Sequence, residues 1–175
     1  MTPKAPVPSF DDLLSSATRS ALHLEMRDVY AVGEEEDDMQ RWRSGQWSLD
    51  DGRKVMAGWM DLVESVTKRG VSVRRARIVS VPVTEYIQYE HALTPLNILA
   101  GEDCRWLPRR EALGIPLPAA DFWLIDERVV RFNHFSGMGE PVDPEMSEDP
   151  AVASLCASAF AAVWGRATPH GEFQV

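Results

Sequence analysis

The sequence is poor in the features that mark membrane-spanning, secreted and metal-binding proteins. Its 175 residues contain no apolar run near the roughly 20 residues that a spanning helix requires. The opening segment MTPKAPVPSF has three prolines where a secretory signal needs an apolar stretch. Two cysteines, Cys104 and Cys156, are too few for a disulfide scaffold, and the four histidines lack metal-ligand spacing. We therefore expect a cytoplasmic protein with no membrane segment, no bound metal and no cofactor.

Lysine is scarce, and positive charge is outnumbered by negative charge. Arginine supplies 15 of the 18 basic residues, against 27 acidic ones, which leaves a formal net charge of −9. Direct binding to DNA or RNA would have to use Arg74, Arg75, Arg109 and Arg110, and it depends on neutralising many phosphates. We therefore expect no direct nucleic-acid binding, whereas an acidic surface is compatible with a basic protein partner.

The composition, with 45% hydrophobic and 26% charged residues, is typical of one compact globular domain. We assign residues 9–166 to that domain, residues 1–8 to a flexible lead and residues 167–175 to a flexible tail. Apolar periodicity gives the order helix, strand, helices, strand, helix, strand, hairpin, helix. This order predicts an α/β fold, with α+β as the alternative, in which helices pack on a single mixed β-sheet.

Four local patterns make more detailed predictions. Asp149-Pro150 is expected to open a strongly amphipathic helix, and the β-rich runs 121–125 and 129–135 are expected to form a hairpin. Alternating apolar and polar residues around His23 predict a half-buried strand whose histidine faces solvent. The helix that contains Pro95 is expected to stop near that residue.

Arg77 lies in a β-rich segment that is predicted to be covered on both faces. A buried arginine must have an anionic partner or line a cavity, because an unpaired buried charge is strongly destabilising. One interpretation is a polar pocket at the C-terminal end of the strand, and the other is a structural ion pair of Arg77 with Glu90 or Glu102. The sequence leaves both open. The candidate ligand-binding residues are Arg77, Tyr86, Glu90, Glu102, Asp121 and Asp126.

Three segments of the chain resemble a known family. They are Arg77-Ile78-Val79-Ser80 with Tyr86, the turn Ala100-Gly101-Glu102-Asp103, and Asp121-Phe122-Trp123-Leu124-Ile125-Asp126 with Val129-Val130. These motifs, within a match from Phe10 to Trp164, resemble the actinobacterial family of the domain of unknown function 6879. Members of that family are often encoded near helix-turn-helix regulators of the xenobiotic-response-element type. The resemblance implies a regulatory setting but names no activity.

Asp126 carries a second resemblance, to phospholipase D-like domains. Those domains have His-x-Lys-x-x-x-x-Asp on a strand that leads into a hairpin, where the histidine attacks phosphorus and the lysine holds the phosphate oxygens. With Asp126 as the aspartate, Ala119 stands at the histidine position and Asp121 at the lysine position. Alanine cannot attack phosphorus, and a carboxylate repels a phosphate. This resemblance implies a half-domain of that fold without its chemistry, so we assign no catalytic residue.

The leading functional hypothesis is therefore a non-catalytic domain that works by protein contact, as an accessory to a transcriptional regulator of the helix-turn-helix type. Its candidate interaction surface combines an acidic run with tryptophans, namely Glu34, Glu35, Glu36, Trp42 and Trp47. The alternative is a binding protein or hydrolase for a small anionic ligand, with a pocket around Arg77, Tyr86 and Glu90. The sequence determines neither the partner, nor the ligand, nor the oligomeric state.

Overall fold

The computed structural model describes residues 7–31 and 33–175, so most of the predicted flexible lead lies outside the description. The helices are α1 (Phe10–Ser15), α2 (Glu36–Arg43), α3 (Leu49–Thr67), α4 (Glu85–Ala100) and α5 (Pro150–Arg166). The strands are β1 (Ser20–Glu25), β2 (Ser72–Val79), β3 (Glu102–Pro108), β4 (Asp121–Ile125), β5 (Val129–Asn133), β6 (Glu145–Ser147) and β7 (Thr168–Pro169). Within the described ranges, no helix has the length and apolar character needed to cross a membrane.

The strands of the described chain form one mixed sheet in the order β6-β5-β4-β1-β2-β3-β7. The three strands β1, β2 and β3 run parallel, and the remaining neighbours pair antiparallel. Parallel neighbours need long crossover connections, which α3 and α4 provide. The prediction of a single mixed sheet with helices packed on it is confirmed.

Helices cover both faces of the sheet. On one face, α5 packs Cys156 and Phe160 against Leu24, Ile78 and Phe122 in a continuous apolar core. The other face carries α1, α3 and α4, with one apolar cluster around Trp123 and another around Tyr89 and Trp106. This second face also holds the buried charged residues that form the candidate site.

The predicted hairpin and the predicted last helix are both present. Strands β4 and β5 pair antiparallel, and the turn residues Asp126 and Glu127 have φ of 51° and 57°. Two left-handed turn residues match the right-handed twist of the strands, so the turn forms without glycine. The side chain of Asp149 accepts a hydrogen bond from the backbone N–H of Ala151 at the start of α5, and Pro150 occupies the first turn.

The prediction that His23 faces solvent is wrong. β1 is a central strand that pairs with β2 on one side and β4 on the other, and His23 is 6% exposed. Its alternating pattern was that of a strand with one polar face, but the polar face looks into a polar cavity under α3 and α4. The alternation therefore assigns the residues of β1 to the correct faces of the sheet, but it does not reveal that helices cover the polar face.

The predicted stop at Pro95 differs from the structure, and part of the predicted tail forms regular secondary structure. α4 continues through Pro95 to Ala100, because the buried residues on both sides of the proline pack against the sheet and outweigh one missing hydrogen bond. In the tail, β7 pairs with β3, and Phe173 stacks on Trp106 with ring centroids 5.5 Å apart. Phe173 is partly buried against the apolar cluster around Tyr89 and Trp106.

Candidate functional site

The parallel pairing of β1 with β2 places four polar side chains on one face of the sheet. His23 lies opposite Arg75, and Glu25 lies opposite Arg77. Side chains two residues apart on a strand point to the same face, so the two pairs form adjacent rows. Arg75 and Glu25 therefore lie beside Arg77 in the site, although the sequence analysis did not select either of them as a ligand residue.

Arg77 donates to three acceptors from two elements, β1 and α4. Its Nε lies 2.6 Å from Glu25, its Nη2 lies 2.6 Å from Glu90, and its Nη1 lies 2.9 Å from the Thr94 hydroxyl. The side chain of Arg77 is 5% exposed. The structural interpretation of Arg77 as a buried ion pair thus holds for Glu90, with Glu25 as the second partner, while Arg77 also lines a cavity.

Arg75 is paired in the same way, and its partner is the predicted site residue Glu102. The Arg75 Nε donates to Glu102 over 2.8 Å, and the Arg75 Nη1 donates to Glu25 over 2.5 Å. Glu102 also accepts from the Trp59 indole at 2.7 Å and from the Asn97 amide at 2.9 Å. Glu102 is therefore a fully satisfied structural group behind the cavity wall.

The arginines control the ionisation of the buried carboxylates. Burial acts to raise the pKa of Glu25, but Arg77 and Arg75 outweigh it and hold that pKa well below its ordinary value. Burial also acts to raise the pKa of Glu102, but Arg75 and the hydrogen bonds from Asn97 and Trp59 together lower it. Burial dominates at Glu90, whose pKa is raised although Arg77 opposes the shift.

His23 is held by hydrogen bonds at both ring nitrogens. Its ring stacks on Trp123 with centroids 4.2 Å apart, its Nδ1 lies 2.9 Å from the Phe122 carbonyl, and its Nε2 lies 3.0 Å from Glu25. Both ring nitrogens are therefore engaged by groups of this chain. In this arrangement neither nitrogen is free for nucleophilic attack.

A cavity of about 300 Å³ lies over this network, between the sheet and helices α1, α3 and α4. Its floor includes His23, Arg75 and Arg77, and its aromatic walls are Phe10, Trp59 and Trp123. Its remaining lining residues are Glu35, Val55, Met56, Glu90, Leu93, Asn97 and Asn133. A neighbouring cavity of about 180 Å³ shares several of these residues and adds Glu25, Tyr30, Tyr86, Asp121 and Phe135.

Two carboxylates in the cavity share one hydroxyl. The Tyr86 hydroxyl lies 3.0 Å from Glu35 and 3.2 Å from Glu90, and it has a single hydrogen to donate. Burial and the nearby Glu90 charge raise the pKa of Glu35 to about 7. Asp121 faces the neighbouring cavity, where it accepts from the Tyr30 hydroxyl, and burial raises its pKa.

The structure brings four of the six predicted ligand residues to the cavity walls: Arg77, Tyr86, Glu90 and Asp121. Glu102 lies behind the wall, and Asp126 lies at the far end of β4, in the hairpin turn. The cavity and network residues that the sequence analysis did not select include His23, Glu25, Arg75, Asn97 and Trp123. One sequence signal could have identified part of this network. Polar residues alternate with apolar ones at positions 23 and 25, and again at positions 75 and 77.

Asp126 caps a neighbouring segment and has no part in the cavity. Its carboxylate accepts from the backbone N–H groups of Thr18, Arg19 and Ser20 over 2.7–3.2 Å. Burial is slight and acts to raise its pKa, but these hydrogen bonds lower it to about 2. The structure thus places Asp126 outside the cavity, where its carboxylate holds the chain that enters β1.

The candidate interaction surface is split by the structure. Trp42 and Trp47 are half-buried and pack edge-to-face on Tyr89, and the Trp47 indole donates to the buried Asp38. Glu35 faces the cavity, and Glu36 is exposed. The side chain of Glu34 lies outside the described residues. Both tryptophans therefore pack against the apolar cluster around Tyr89 and Trp106. The exposed acidic residues lie at the start of α2.

Among the described residues, no three His, Cys, Asp or Glu side chains are arranged to hold a metal ion. The cavity can accept hydrogen bonds, hold a charged group and pack apolar surface. Its carboxylates have perturbed pKa values for reasons of burial and mutual repulsion, which is a property of many binding and catalytic sites.

Comparisons with known proteins identify relatives of the chain but no activity. A family model described as "Domain of unknown function (DUF6879)" matches residues 8–175. No curated protein sequence matches the chain. The fold is similar to the crystal structure of a phospholipase D family member, Nuc, from Salmonella typhimurium, with a TM-score of 0.50, 13% identity, and coverage of 91% of this chain and 86% of that one. NucT from Helicobacter pylori matches with a TM-score of 0.44, 12% identity, and coverage of 91% and 87%.

Proposed function

This chain belongs to the family of the domain of unknown function DUF6879, and because that description names no activity, we propose one from the geometry: a non-catalytic domain that binds a small molecule. The binding site is the cavity between the sheet and helices α3 and α4. The observation that supports this most directly is a cavity of about 300 Å³ lined by both aromatic and charged side chains. Small-molecule sites combine apolar walls with a few fixed polar groups in this way.

The positions of the polar groups support binding by a preorganised site. Arg77 and Glu90 hold each other in place over 2.6 Å, and Trp59 is fixed by its hydrogen bond to Glu102. Groups that are held by a second layer of contacts lose little freedom when a ligand binds. The rigid floor and aromatic walls therefore favour a defined small ligand.

Two features support the proposal that the chain does not hydrolyse phosphodiesters. Ala119 and Asp121 stand where phospholipase D-like domains carry their histidine and lysine. His23, the one histidine that lines the described cavity, has both ring nitrogens in hydrogen bonds. A nucleophile needs a free lone pair aimed at the substrate. We therefore propose binding without hydrolysis.

Filling the cavity mouth tests the proposed function. Val55 lines the cavity from α3 and is 44% exposed, so Val55→Trp can extend across the mouth without displacing core residues. In a thermal-shift screen of metabolites, we expect compounds that stabilise the wild type to lose at least tenfold in affinity for this variant, because indole occupies their space. Binding would then be quantified by isothermal titration calorimetry.

Ser65→Trp is the matched control, since it adds the same side chain at an exposed position of the same helix. We expect it to bind like the wild type. A screen in which every hit binds Val55→Trp and wild type equally would place binding elsewhere, and a screen without any hit would also count against a ligand site.

Protein contact as an accessory to a helix-turn-helix regulator remains a second proposal, together with an actinobacterial origin, a cytoplasmic location and no direct nucleic-acid binding. The exposed Glu36 and Asp37 at the start of α2 support an acidic docking face. A ligand-binding domain can report to such a partner, so the two proposals are compatible.

Charge reversal tests this second proposal. With the purified chain as bait, we expect a helix-turn-helix regulator to be retained from an actinobacterial lysate and to be lost with Glu36→Lys/Asp37→Lys. The matched control is Glu172→Lys, at an exposed site in the tail. Equal recovery of the regulator by the acidic-face variant, or no regulator at all, would contradict the proposal.

A further inference from the structure

We propose that the cavity takes a small organic cation, an amine or guanidine, whose N–H groups are accepted by Glu35, Glu90 and Asn97. This inference rests on the proposed function and names the chemical class of its ligand. The proposed cation replaces the anionic ligand that the sequence analysis inferred from the arginines. The argument depends on which hydrogen-bonding groups in the cavity are already used and which are not.

The cations of the cavity are already neutralised. Each guanidinium nitrogen of Arg75 and of Arg77 donates to an acceptor of this chain, with carboxylates as partners in five of the six cases. An anionic ligand would have to displace Glu25 or Glu90 from these pairs and leave a carboxylate buried without its partner. That cost is large for groups that are almost fully buried.

The acceptors of the cavity are not all used. Glu35 and Glu90 compete for the single Tyr86 hydrogen. Asn97 lines the cavity, and its amide nitrogen donates to Glu102, which leaves its carbonyl oxygen to accept from a ligand. Carboxylates that share one donor have unused capacity to accept hydrogen bonds. A ligand that brings N–H donors would satisfy these oxygens.

The apolar walls strengthen the same preference. Phe10, Trp59 and Trp123 form apolar walls of the cavity, which lower its local dielectric constant relative to water. Attraction between unlike charges grows as the local dielectric constant falls, so a cation placed there gains more from Glu35 and Glu90 than it would in water.

Glu35 provides a signature that separates a cation from an anion. The groups that face it are Tyr86 and Glu90 from α4, Glu25 from β1 and Arg77 from β2. With a pKa of about 7, Glu35 is mostly protonated at pH 6 and mostly ionised at pH 8. A bound cation favours the ionised form, so cation affinity rises with pH, whereas anion affinity falls.

Calorimetric titration with agmatine tests the inference, because agmatine is cationic at both pH values. We expect the wild type to bind it up to about tenfold more tightly at pH 8 than at pH 6, the change in the ionised fraction of a group with that pKa. Glu35→Gln should keep the weaker affinity at both pH values. It should fold normally, since it removes one of two competing carboxylates. Glu36→Gln, an exposed neighbour with the same charge change, should behave like the wild type.

Inorganic phosphate and adenosine monophosphate are the anionic probes. Binding of either anion that is blocked by Val55→Trp would overturn the cation inference and leave the proposed function standing. No binding of agmatine or spermidine at millimolar concentration would also overturn it, as would tighter agmatine binding at pH 6. A metabolite screen that fails with every charge class would instead contradict the proposed function itself.

Discussion

Replacing Arg77 with methionine is expected to lower the free energy of unfolding by about 3–5 kcal/mol. The substitution keeps apolar bulk but removes the partner that Glu25 and Glu90 each hold at 2.6 Å. Two carboxylates would then lie close together in a buried setting without one of their compensating charges. Urea denaturation at pH 7, followed by tryptophan fluorescence, measures the loss.

Arg43→Met is the matched control for this experiment. Arg43 pairs with Glu85 over 2.8 Å, but their side chains are 41% and 54% exposed. Exposed ion pairs contribute about 0–1 kcal/mol, so this variant should be nearly as stable as the wild type. Similar losses in the two variants would mean that burial of the Arg77 network has no energetic consequence, which contradicts the account of the site.

Asp126→Ala is expected to cost about 2–3 kcal/mol of stability while leaving ligand binding unchanged. The substitution removes the acceptor of the Thr18, Arg19 and Ser20 backbone N–H groups. It also puts alanine at φ of 51°, a conformation that aspartate and asparagine tolerate better. Thermal and urea unfolding measure the stability change, and calorimetry with agmatine measures binding.

Asp126→Asn separates the two causes, because it keeps one acceptor oxygen and a residue that tolerates the left-handed turn. We expect it to lose about half as much stability as the alanine variant. A loss of ligand affinity in either folded variant would return Asp126 to the binding site and refute its assignment as a cap.

Properties that depend on local pattern were predictable from the sequence. The hairpin around Asp126 and the start of α5 at Asp149 follow from turn and capping preferences within a few residues. Arg77 was also identified, because an arginine in a covered strand requires a partner wherever the partner comes from. These inferences needed no knowledge of long-range contacts.

Properties that depend on long-range contacts were not predictable. His23, Glu25 and Arg75 join the network because β1 inserts between β2 and β4, a pairing of segments about 50 and 100 residues apart that no local pattern specifies. The continuation of α4 past Pro95 reflects tertiary packing that overrides a local preference. Asp126 was assigned to the site because the phospholipase D-like resemblance gave it a role that its hydrogen bonds do not support.

Nuclear magnetic resonance of the tryptophan indoles, during titration with agmatine at pH 8, is the most direct test of a cation site in this cavity. Trp59 and Trp123 line the cavity, whereas Trp164 packs on Phe160 at the opposite face of the sheet and serves as an internal control. The account predicts that the Trp59 and Trp123 signals shift saturably while the Trp164 signal stays in place. Shifts confined to Trp164, or no saturable shift at all, would contradict it.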